Sequence, residues 1–457
     1  MKIYNFTKVA AVAALLSFTA CENSLLEQEP VDLITNDRAI EEVDDLDGAI
    51  LGAYSSAQVT NFYGNLLLNS IALMSDEGDH TGTFPTNQEM DVNNVLAANV
   101  TMRNIWNQGF KVVFNANSVI AGAEELEEAE ATEIAPYIAE AKALRALGLW
   151  HLSNLWGDIP YPETTSLEEL GTISRTPRAE VLTKIIADLE AARADLPATY
   201  DDEEADRTRF TQVTVDAFLA RAYLYVGKYA EAAAKATAVI NSGSYSLTAD
   251  YASAFADGST ETIMEVYYDV SDANQLAFHL LPADLGGRFE YGPSADLIAA
   301  LDAEAGDARK AMYLEHPKIA NTYYINKYND IAQGTDRPKV FRLAEMYLIA
   351  AEAIAQNSNV NDQAVTMLNA VRTRAGLAAK TTADYANKTA FLSAVEQERF
   401  KELAFEGHRM FDLVRTGRVD AVMSAHNPAG WANTDIVWPI PQQDKDLNPN
   451  LGQNDGY

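Results

Sequence analysis

The sequence is short of three things: cysteine, positive charge and long apolar runs. It has one cysteine among 457 residues, so no disulfide can form within the chain. Lys and Arg number 34 against 66 Asp and Glu, which gives a formal net charge of −32. A mean field of this sign repels polyanions, and it disfavours nucleic acid and anionic lipid as partners. The hydrophobic fraction is nevertheless 48%, which is typical of a globular protein.

The common catalytic signatures are also missing from the sequence. It contains no P-loop, no GxGxxG, no HExxH and no nucleophile elbow. Six histidines are far apart and lack metal-ligand spacing, namely His80, His151, His279, His316, His408 and His426. We expect His151, on a helical stripe, to be a hydrogen-bonded interior residue. We therefore expect a binding protein that is not an enzyme and has no cofactor, with a calcium ion held by Asp76, Glu77 and Asp79 as the alternative.

The N-terminus has the features of a targeting segment. Residues 9–20 (VAAVAALLSFTA) are all apolar or small, and a run of twelve is too short to span a bilayer. The run ends at Ala20-Cys21, which resembles the bacterial lipoprotein cleavage box. This predicts removal of residues 1–20, lipidation of Cys21 and a polar, acid-rich tether over residues 21–45. The alternative is an ordinary secretory signal that happens to end near a cysteine.

Apolar residues at helical spacing dominate the rest of the chain, for example Val215, Leu219 and Ala222. Two segments share a helix rich in Ala and Tyr, a polar break and a second Ala-rich helix, a spacing typical of tetratricopeptide repeats. We predict one mainly α-helical domain over residues 46–457, with helical repeats at approximately 103–155, 178–241 and 340–377. Residues 75–94 and 242–328 are turn-rich or β-prone, and we predict irregular insertions with short strands there.

Several segments resemble those of one family, and they occur in the same order along the chain. They are 106–120 (WNQGFKVVFNANSVI), 141–162 (AKALRALGLWHLSNLWGDIPYP), 342–353 (RLAEMYLIAAEA), 371–377 (VRTRAGL), 398–418 (ERFKELAFEGHRMFDLVRTGR), 438–441 (WPIP) and 448–457 (NPNLGQNDGY). With the lipoprotein signal, they resemble the SusD/RagB family, surface lipoproteins of Bacteroidetes nutrient-uptake systems. We interpret residues 398–418 as architecture, because Gly407 permits a tight helix junction and Glu402, Glu406, Arg409 and Asp412 can pair across it.

The resemblance implies about four tetratricopeptide-like helix pairs that support a less regular part carrying the ligand site. It also implies a cell-surface protein, lipid-anchored to the outer membrane, that delivers glycan to a TonB-dependent transporter of the SusC type. Some members of the family bind peptides instead, and a repeat scaffold that binds only protein is a further alternative. A surface hydrolase is the rival class among enzymes.

A glycan site needs aromatic faces for the apolar side of a sugar ring and polar groups for its hydroxyls. From the irregular regions we nominate four residues for stacking, Tyr268, Phe278, Phe289 and Tyr291. The polar candidates are Asp79, His80, Asn274, Gln275 and Arg288. The alternative for each aromatic residue is a place in the core of the insertion. The negative net charge favours a neutral glycan such as a glucan, mannan or fructan.

Overall fold

The computed structural model describes residues 40–457 of the chain. The predicted signal peptide, the lipidation residue Cys21 and the tether up to residue 39 lie outside the described residues and stay predictions. Within residues 40–457, none of the helices is both long enough and apolar enough to cross a membrane.

Helices form the larger part of the described chain and confirm the predicted mainly α-helical class. They are α1 (Asp45–Gln58), α2 (Leu66–Leu73), α3 (Pro85–Asp91), α4 (Val100–Glu124), α5 (Ala131–Trp156), α6 (Leu167–Leu170), α7 (Arg178–Ala192), α8 (Glu203–Thr208), α9 (Gln212–Tyr225), α10 (Tyr229–Asn241), α11 (Leu276–Leu280), α12 (Ala295–Asp302), α13 (Leu343–Asn357), α14 (Asp362–Arg374), α15 (Lys388–Glu402), α16 (Arg409–Arg415), α17 (Val419–His426) and α18 (Gln442–Leu447).

Consecutive helices pack in pairs and form a scaffold. Helix α4 packs on α5, α9 on α10, and α13 on α14, in the three regions where repeats are predicted. Contacts of α5 with α7 and of α10 with α13 join the pairs. The α4–α5 crossing depends on glycine: a Cβ at Gly148 would lie 3.0 Å from the Val113 side chain, and one at Gly109 would lie 2.9 Å from Leu152.

His151 lies inside this scaffold, as its place on a helical stripe predicts. Its side chain is buried, and Nε2 lies 2.7 Å from the Tyr63 hydroxyl. Burial, together with the positive charge of Arg221, lowers the pKa of His151 to about 3. His151 is therefore neutral and structural.

The described chain contains six short strands. They are β1 (Gly78–His80), β2 (Thr262–Glu265), β3 (Tyr291–Pro293), β4 (Tyr313–Glu315), β5 (Tyr323–Ile325) and β6 (Lys339–Arg342). Five of them lie in the predicted insertions, and β6 lies at the start of the repeat predicted at 340–377. In the described chain they form three antiparallel two-stranded sheets, β1 with β3, β2 with β6, and β4 with β5. The insertion at 242–328 is more regular than predicted, since it also contains α12, which the Ser294 side chain caps at the Leu297 N–H.

A buried network of charges holds the scaffold to the insertions. Arg342, at the end of β6, lies 2.6 Å from Glu402 and 2.6 Å from Glu406. Glu402 also pairs with Arg374, and Glu406 lies 2.9 Å from Lys327. None of these five side chains is more than 3% exposed. The partners of both glutamates therefore come from distant parts of the sequence, and not from across the local helix junction.

The junction itself matches its prediction in two respects. Gly407 has φ of +80°, and a Cβ there would lie 3.0 Å from the Leu68 side chain. Asp412 pairs across the junction with Arg399, at 2.7 Å. Arg409, in contrast, binds Asp76, with both carboxylate oxygens within 2.7 Å of the guanidinium.

Glu77, next to Asp76, is a buried carboxyl group of a different kind. Its Oε1 accepts a hydrogen bond of 2.6 Å from the Phe405 N–H, in a residue with φ of +61°. Burial raises the pKa of Glu77 to about 8, although the Phe405 N–H and the charge of Lys327 oppose this rise. Glu77 thus keeps its proton at neutral pH in the folded protein.

The network gives a stability prediction. Glu402→Gln leaves Arg342 and Arg374 buried with less counter-charge, and we expect it to destabilise the fold by about 3–5 kcal/mol. The urea midpoint of unfolding, followed by circular dichroism, measures the change. As a control, Glu163→Gln breaks the exposed pair with Lys184, 3.3 Å apart, and should cost less than about 1 kcal/mol. Equal effects of the two substitutions would contradict this role of the network.

Glu77 gives a pH prediction. Between its ordinary pKa of 4.5 and its folded pKa of about 8, the unfolded chain releases the proton while the folded chain keeps it. Glu77 therefore lowers stability as pH rises through this window. Glu77→Gln keeps an acceptor for the Phe405 N–H, so we expect the variant to gain stability over the wild type from pH 5 to pH 8. An unfolding difference that does not change with pH would show that Glu77 titrates normally.

Candidate ligand-binding site

Strands β1 and β3 bring the two irregular regions of the chain together. His80 in β1 stands opposite Tyr291 in β3. One residue beyond β1, the hydroxyl of Thr81 donates a hydrogen bond of 2.8 Å to the carbonyl of Phe289. Two segments about 200 residues apart in sequence thus form one surface.

The carboxylate of Glu290 organises this surface. It is 1% exposed and accepts hydrogen bonds from Arg288 Nε at 2.6 Å and from the Thr83 N–H at 3.1 Å. His80 Nε2 lies 3.4 Å from the same carboxylate. Burial raises the pKa of Glu290, but the hydrogen bonds outweigh burial and hold the pKa below its ordinary value. Glu290 is therefore ionised and fixes the position of Arg288.

Gly82 makes room for this carboxylate. A Cβ at residue 82 would lie 2.0 Å from Glu290 Oε2, which is far inside van der Waals contact. A larger residue at this position would therefore displace the Glu290 carboxylate.

Beside Glu290, the surface presents the exposed side chains of Gln275, Phe278 and Arg288 and the half-buried ring of Phe84. The guanidinium carbon of Arg288 lies 4.0 Å from the centre of the Phe84 ring, in a cation–π arrangement. The imidazole of His279 lies 6.3 Å from the Phe84 ring and 5.2 Å from the Phe278 ring, which is 43% exposed. Gln275 is exposed beside His279. We call Phe84, Gln275, Phe278 and Arg288 the aromatic platform.

The aromatic platform combines apolar faces with hydrogen-bonding groups and little net charge. The charge of Arg288 is balanced by Glu290. Burial lowers the pKa of His279 to about 4, with Arg288 acting in the same direction and Glu290 against it, so the imidazole is neutral. The rings of Phe84 and Phe278 can cover apolar C–H groups, while Arg288 and Gln275 can reach hydroxyl groups at their edges.

Four of the nominated residues are buried and present no ring or amide face to a ligand. They are Tyr268 at 2% exposure, Tyr291 at 1%, Phe289 at 9% and Asn274 at 7%. The Tyr268 hydroxyl donates to the Gln58 carbonyl, and the Asn274 amide donates to the Asp336 carbonyl at 2.5 Å. These side chains form the core of the insertions, which is the alternative that we considered for the aromatic residues.

The two nominated residues of β1 lie on opposite faces of the strand, because successive side chains alternate. His80 borders Glu290 at the edge of the aromatic platform. Asp79 faces away, where burial and the charge of Asp296 raise its pKa and His426 lowers it. The structure therefore brings Gln275, Phe278 and Arg288 together, with His80 beside them.

The carboxylates considered for calcium have separate surroundings. Asp76 binds Arg409, Glu77 accepts from the Phe405 N–H, and Asp79 lies on a different face of β1. Within residues 40–457, no group of three or more His, Cys, Asp or Glu residues lies close enough to hold a metal ion.

Three residues of this surface were not predicted from sequence: Gly82, Phe84 and Glu290. Glu290 stands between the nominated Phe289 and Tyr291, and alternation along an extended chain would have placed it on a different side from both. The sequence offered one signal for Phe84: it is an aromatic residue before Pro85 in a region of mostly polar and turn residues.

Two family models match the chain. One, described as the SusD family, matches residues 304–457, and the other, described as starch-binding associating with outer membrane, matches residues 27–224. Gln275, Phe278 and Arg288 lie between the two matched stretches.

Curated relatives match over most of their length. SusD-like protein P2 of Formosa agariphila is 27% identical, over 98% of this chain and 99% of that protein. Starch-binding protein SusD of Bacteroides thetaiotaomicron is 26% identical, over 70% of this chain and 72% of that protein.

Solved structures have the same fold. A laminarin binding SusD-like protein matches with a TM-score of 0.79 and 23% identity, over 92% of this chain and all of that one. A SusD superfamily protein from Bacteroides vulgatus matches with a TM-score of 0.81 and 20% identity, over 91% of this chain and 99% of that one. The solved structures share the fold, and the two family models, which together match residues 27–224 and 304–457, confirm what the sequence segments predict: the chain belongs to the SusD/RagB family.

Proposed function

We propose that this protein is a cell-surface lipoprotein that captures a neutral oligo- or polysaccharide on the aromatic platform. It then delivers the glycan to a TonB-dependent SusC-like transporter in the outer membrane. The observation that carries this proposal is the exposed ring of Phe278 and the half-buried ring of Phe84, flanked by Arg288 and Gln275 beside the β1–β3 strand pair.

The related proteins support a glycan as the ligand. One relative is named as starch-binding, one similar structure is named as laminarin binding, and one family model is described as starch-binding. The same description, associating with outer membrane, supports the location. Lipidation at Cys21 would supply the anchor there.

The size of the aromatic platform suits a protein that hands over its ligand. If each phenyl ring removes roughly 40 Å² of apolar surface from water, each contributes about 1 kcal/mol. Two rings and a few hydrogen bonds then support a dissociation constant of about micromolar to millimolar. Such affinity permits capture and also release into a transporter.

The charges of the site favour a neutral glycan. Arg288 is already paired with Glu290 at 2.6 Å, so it offers hydrogen-bond donors without a free positive charge. The chain as a whole carries −32 and repels anionic polymers.

The surroundings of Glu290 favour binding over hydrolysis. A glycosidase needs a carboxyl group that reaches the glycosidic bond. The Glu290 carboxylate is 1% exposed and already accepts hydrogen bonds from Arg288 and Thr83. We therefore assign it the role of positioning Arg288.

The experiment that tests this function is a binding assay on the two rings. Phe84→Ala and Phe278→Ala should each weaken binding of the cognate neutral glycan about fivefold, because each removes about 1 kcal/mol of apolar contact. Affinity electrophoresis on a panel of neutral glycans, acidic glycans and peptides identifies the ligand, and isothermal titration gives the affinity. Val270→Ala, which shortens a side chain that is 68% exposed, is the matched control. Unchanged glycan binding by the variant that combines Phe84→Ala with Phe278→Ala would overturn the proposal. Preference of the wild type for an acidic glycan or a peptide would also overturn it.

Gly82 provides a second test that touches no exposed side chain. In Gly82→Ala the new methyl group would displace the Glu290 carboxylate and release Arg288, and we expect glycan affinity to fall about as far as in Arg288→Gln. The two substitutions should not add in the double variant, since they remove the same arrangement. Isothermal titration of the three variants measures this, and full additivity would mean that Gly82 acts elsewhere.

A further inference from the structure

A groove runs along helix α4, on a part of the fold separate from the aromatic platform. It has a volume of about 470 Å³, and its lining is mainly apolar. Phe110 and Phe114 of α4 form its floor, with Leu170 of α6 and Leu447 of α18 on its sides. Leu447 is 76% exposed at the rim of the groove. We call this the α4 groove.

A second cleft continues the α4 groove along the same helix. It has a volume of about 480 Å³ and shares Phe114 with the groove, and it extends to Gly122 and Ile40. The two clefts meet at Phe114, and we call their combined length, from Leu447 to Ile40, the channel.

The described chain begins in this channel. Ile40 is its first residue, and the Ile40 Cδ1 lies 2.4 Å from the point where a Cβ on residue 122 would stand. Gly122 thus forms a notch that seats Ile40.

The preceding residues have the composition to fill the channel. Residues 22–39 (ENSLLEQEPVDLITNDRA) place Val31, Leu33 and Ile34 among acidic residues. In an extended chain, Val31 and Leu33 point to the same side. On α4 the exposed Lys111 lines the groove beside Phe110 and offers a positive charge to the neighbouring Asp32.

The lengths also agree. Gly122 and Phe110 are twelve residues apart on α4, which is about 18 Å of helix. An extended chain covers this distance in about six residues. Leu33 lies seven residues before Ile40, so it reaches the Phe110 end of the groove. Because the segment is covalently attached through a short linker, its effective concentration at the groove is about millimolar, which favours it over a free partner.

We propose that the α4 groove is the docking site of the chain's own segment Val31–Ile34. Docking shortens the free tether from the 18 residues between Cys21 and Ile40 to the nine residues Glu22–Pro30. If Cys21 carries a lipid, which rests on the proposed function, the nine remaining residues hold α4 within about 30 Å of the membrane. The anchor would thus set the orientation of the protein over its transporter as well as its location.

The test uses the full mature chain with Cys21→Ser, which contains no other cysteine. Leu447→Cys then places a single thiol at the rim of the α4 groove. The rate at which a maleimide alkylates this thiol is measured in three chains. One has the native segment, one carries Val31→Asp with Leu33→Asp, and the control carries Asn36→Asp. Docking predicts alkylation at least about fivefold faster in the double Asp variant, and no change in the control. A thiol at Leu314→Cys, 37% exposed on β4, should react at one rate in all three chains.

Several results would overturn the docking proposal. Equal alkylation of Leu447→Cys in all three chains would show that the segment does not cover the groove. Protection that grows with protein concentration would make a second copy the occupant, and protection only after addition of the transporter would make the transporter the occupant. Glycan affinity is measured on the same variants: if it is retained while docking fails, the proposed function stands and only this inference falls.

A second pair of thiols tests the same contact directly. Leu33→Cys with Leu170→Cys should form a disulfide within the monomer under mild oxidation, at least about tenfold faster than Leu33→Cys with Leu314→Cys. Peptide mass spectrometry identifies the bond. Equal rates for the two pairs would contradict docking.

Discussion

The fold depends on burying the charges of residues 398–418 against partners from the insertions. Arg342, Glu402 and Glu406 form the centre of this network, and Lys327 enters it from the large insertion. Removing such groups from water costs several kcal/mol per ion, so the pairs need not increase stability over an apolar core. Each buried ion does, however, require its own partner, and we infer that the network fixes how the insertions sit on the helices.

The aromatic platform inherits its rigidity from this arrangement. Asp76 and Glu77, which lead into β1, bind Arg409 and the Phe405 N–H of the same stretch. Strand β1 pairs with β3, and Glu290 next to β3 fixes Arg288 over Phe84. A chain of direct contacts thus runs from the charged core to Arg288 and Phe84. Residues 398–418 contain no residue of the platform, and they act on it only through these contacts.

Much of the fold was predictable from sequence because helical periodicity is local. The repeats at 103–155, 178–241 and 340–377, the glycine junction at Gly407 and the interior place of His151 all follow from nearby residues. The partners of Glu402 and Glu406 were not predictable from neighbouring residues, since Arg374 lies 28 residues from Glu402, and Arg342 and Lys327 lie 60 or more residues from the glutamates that they pair with. For the site, sequence nominated three of the four platform residues, Gln275, Phe278 and Arg288, but it missed Phe84 and also nominated residues that are buried. Phe278 and Tyr291 are both aromatic residues in the same irregular region of the sequence. Only the tertiary packing decides that the first ring is exposed and the second is buried.

The central claim is that two segments distant in sequence form one glycan site. Hydrogen exchange followed by mass spectrometry, with and without a neutral glycan that binds in affinity electrophoresis, tests it most directly. We predict that bound glycan slows exchange in residues 81–84 and 275–290 together, and leaves the α4 groove unchanged. Protection confined to the helical scaffold, or to only one of the two segments, would contradict the claim.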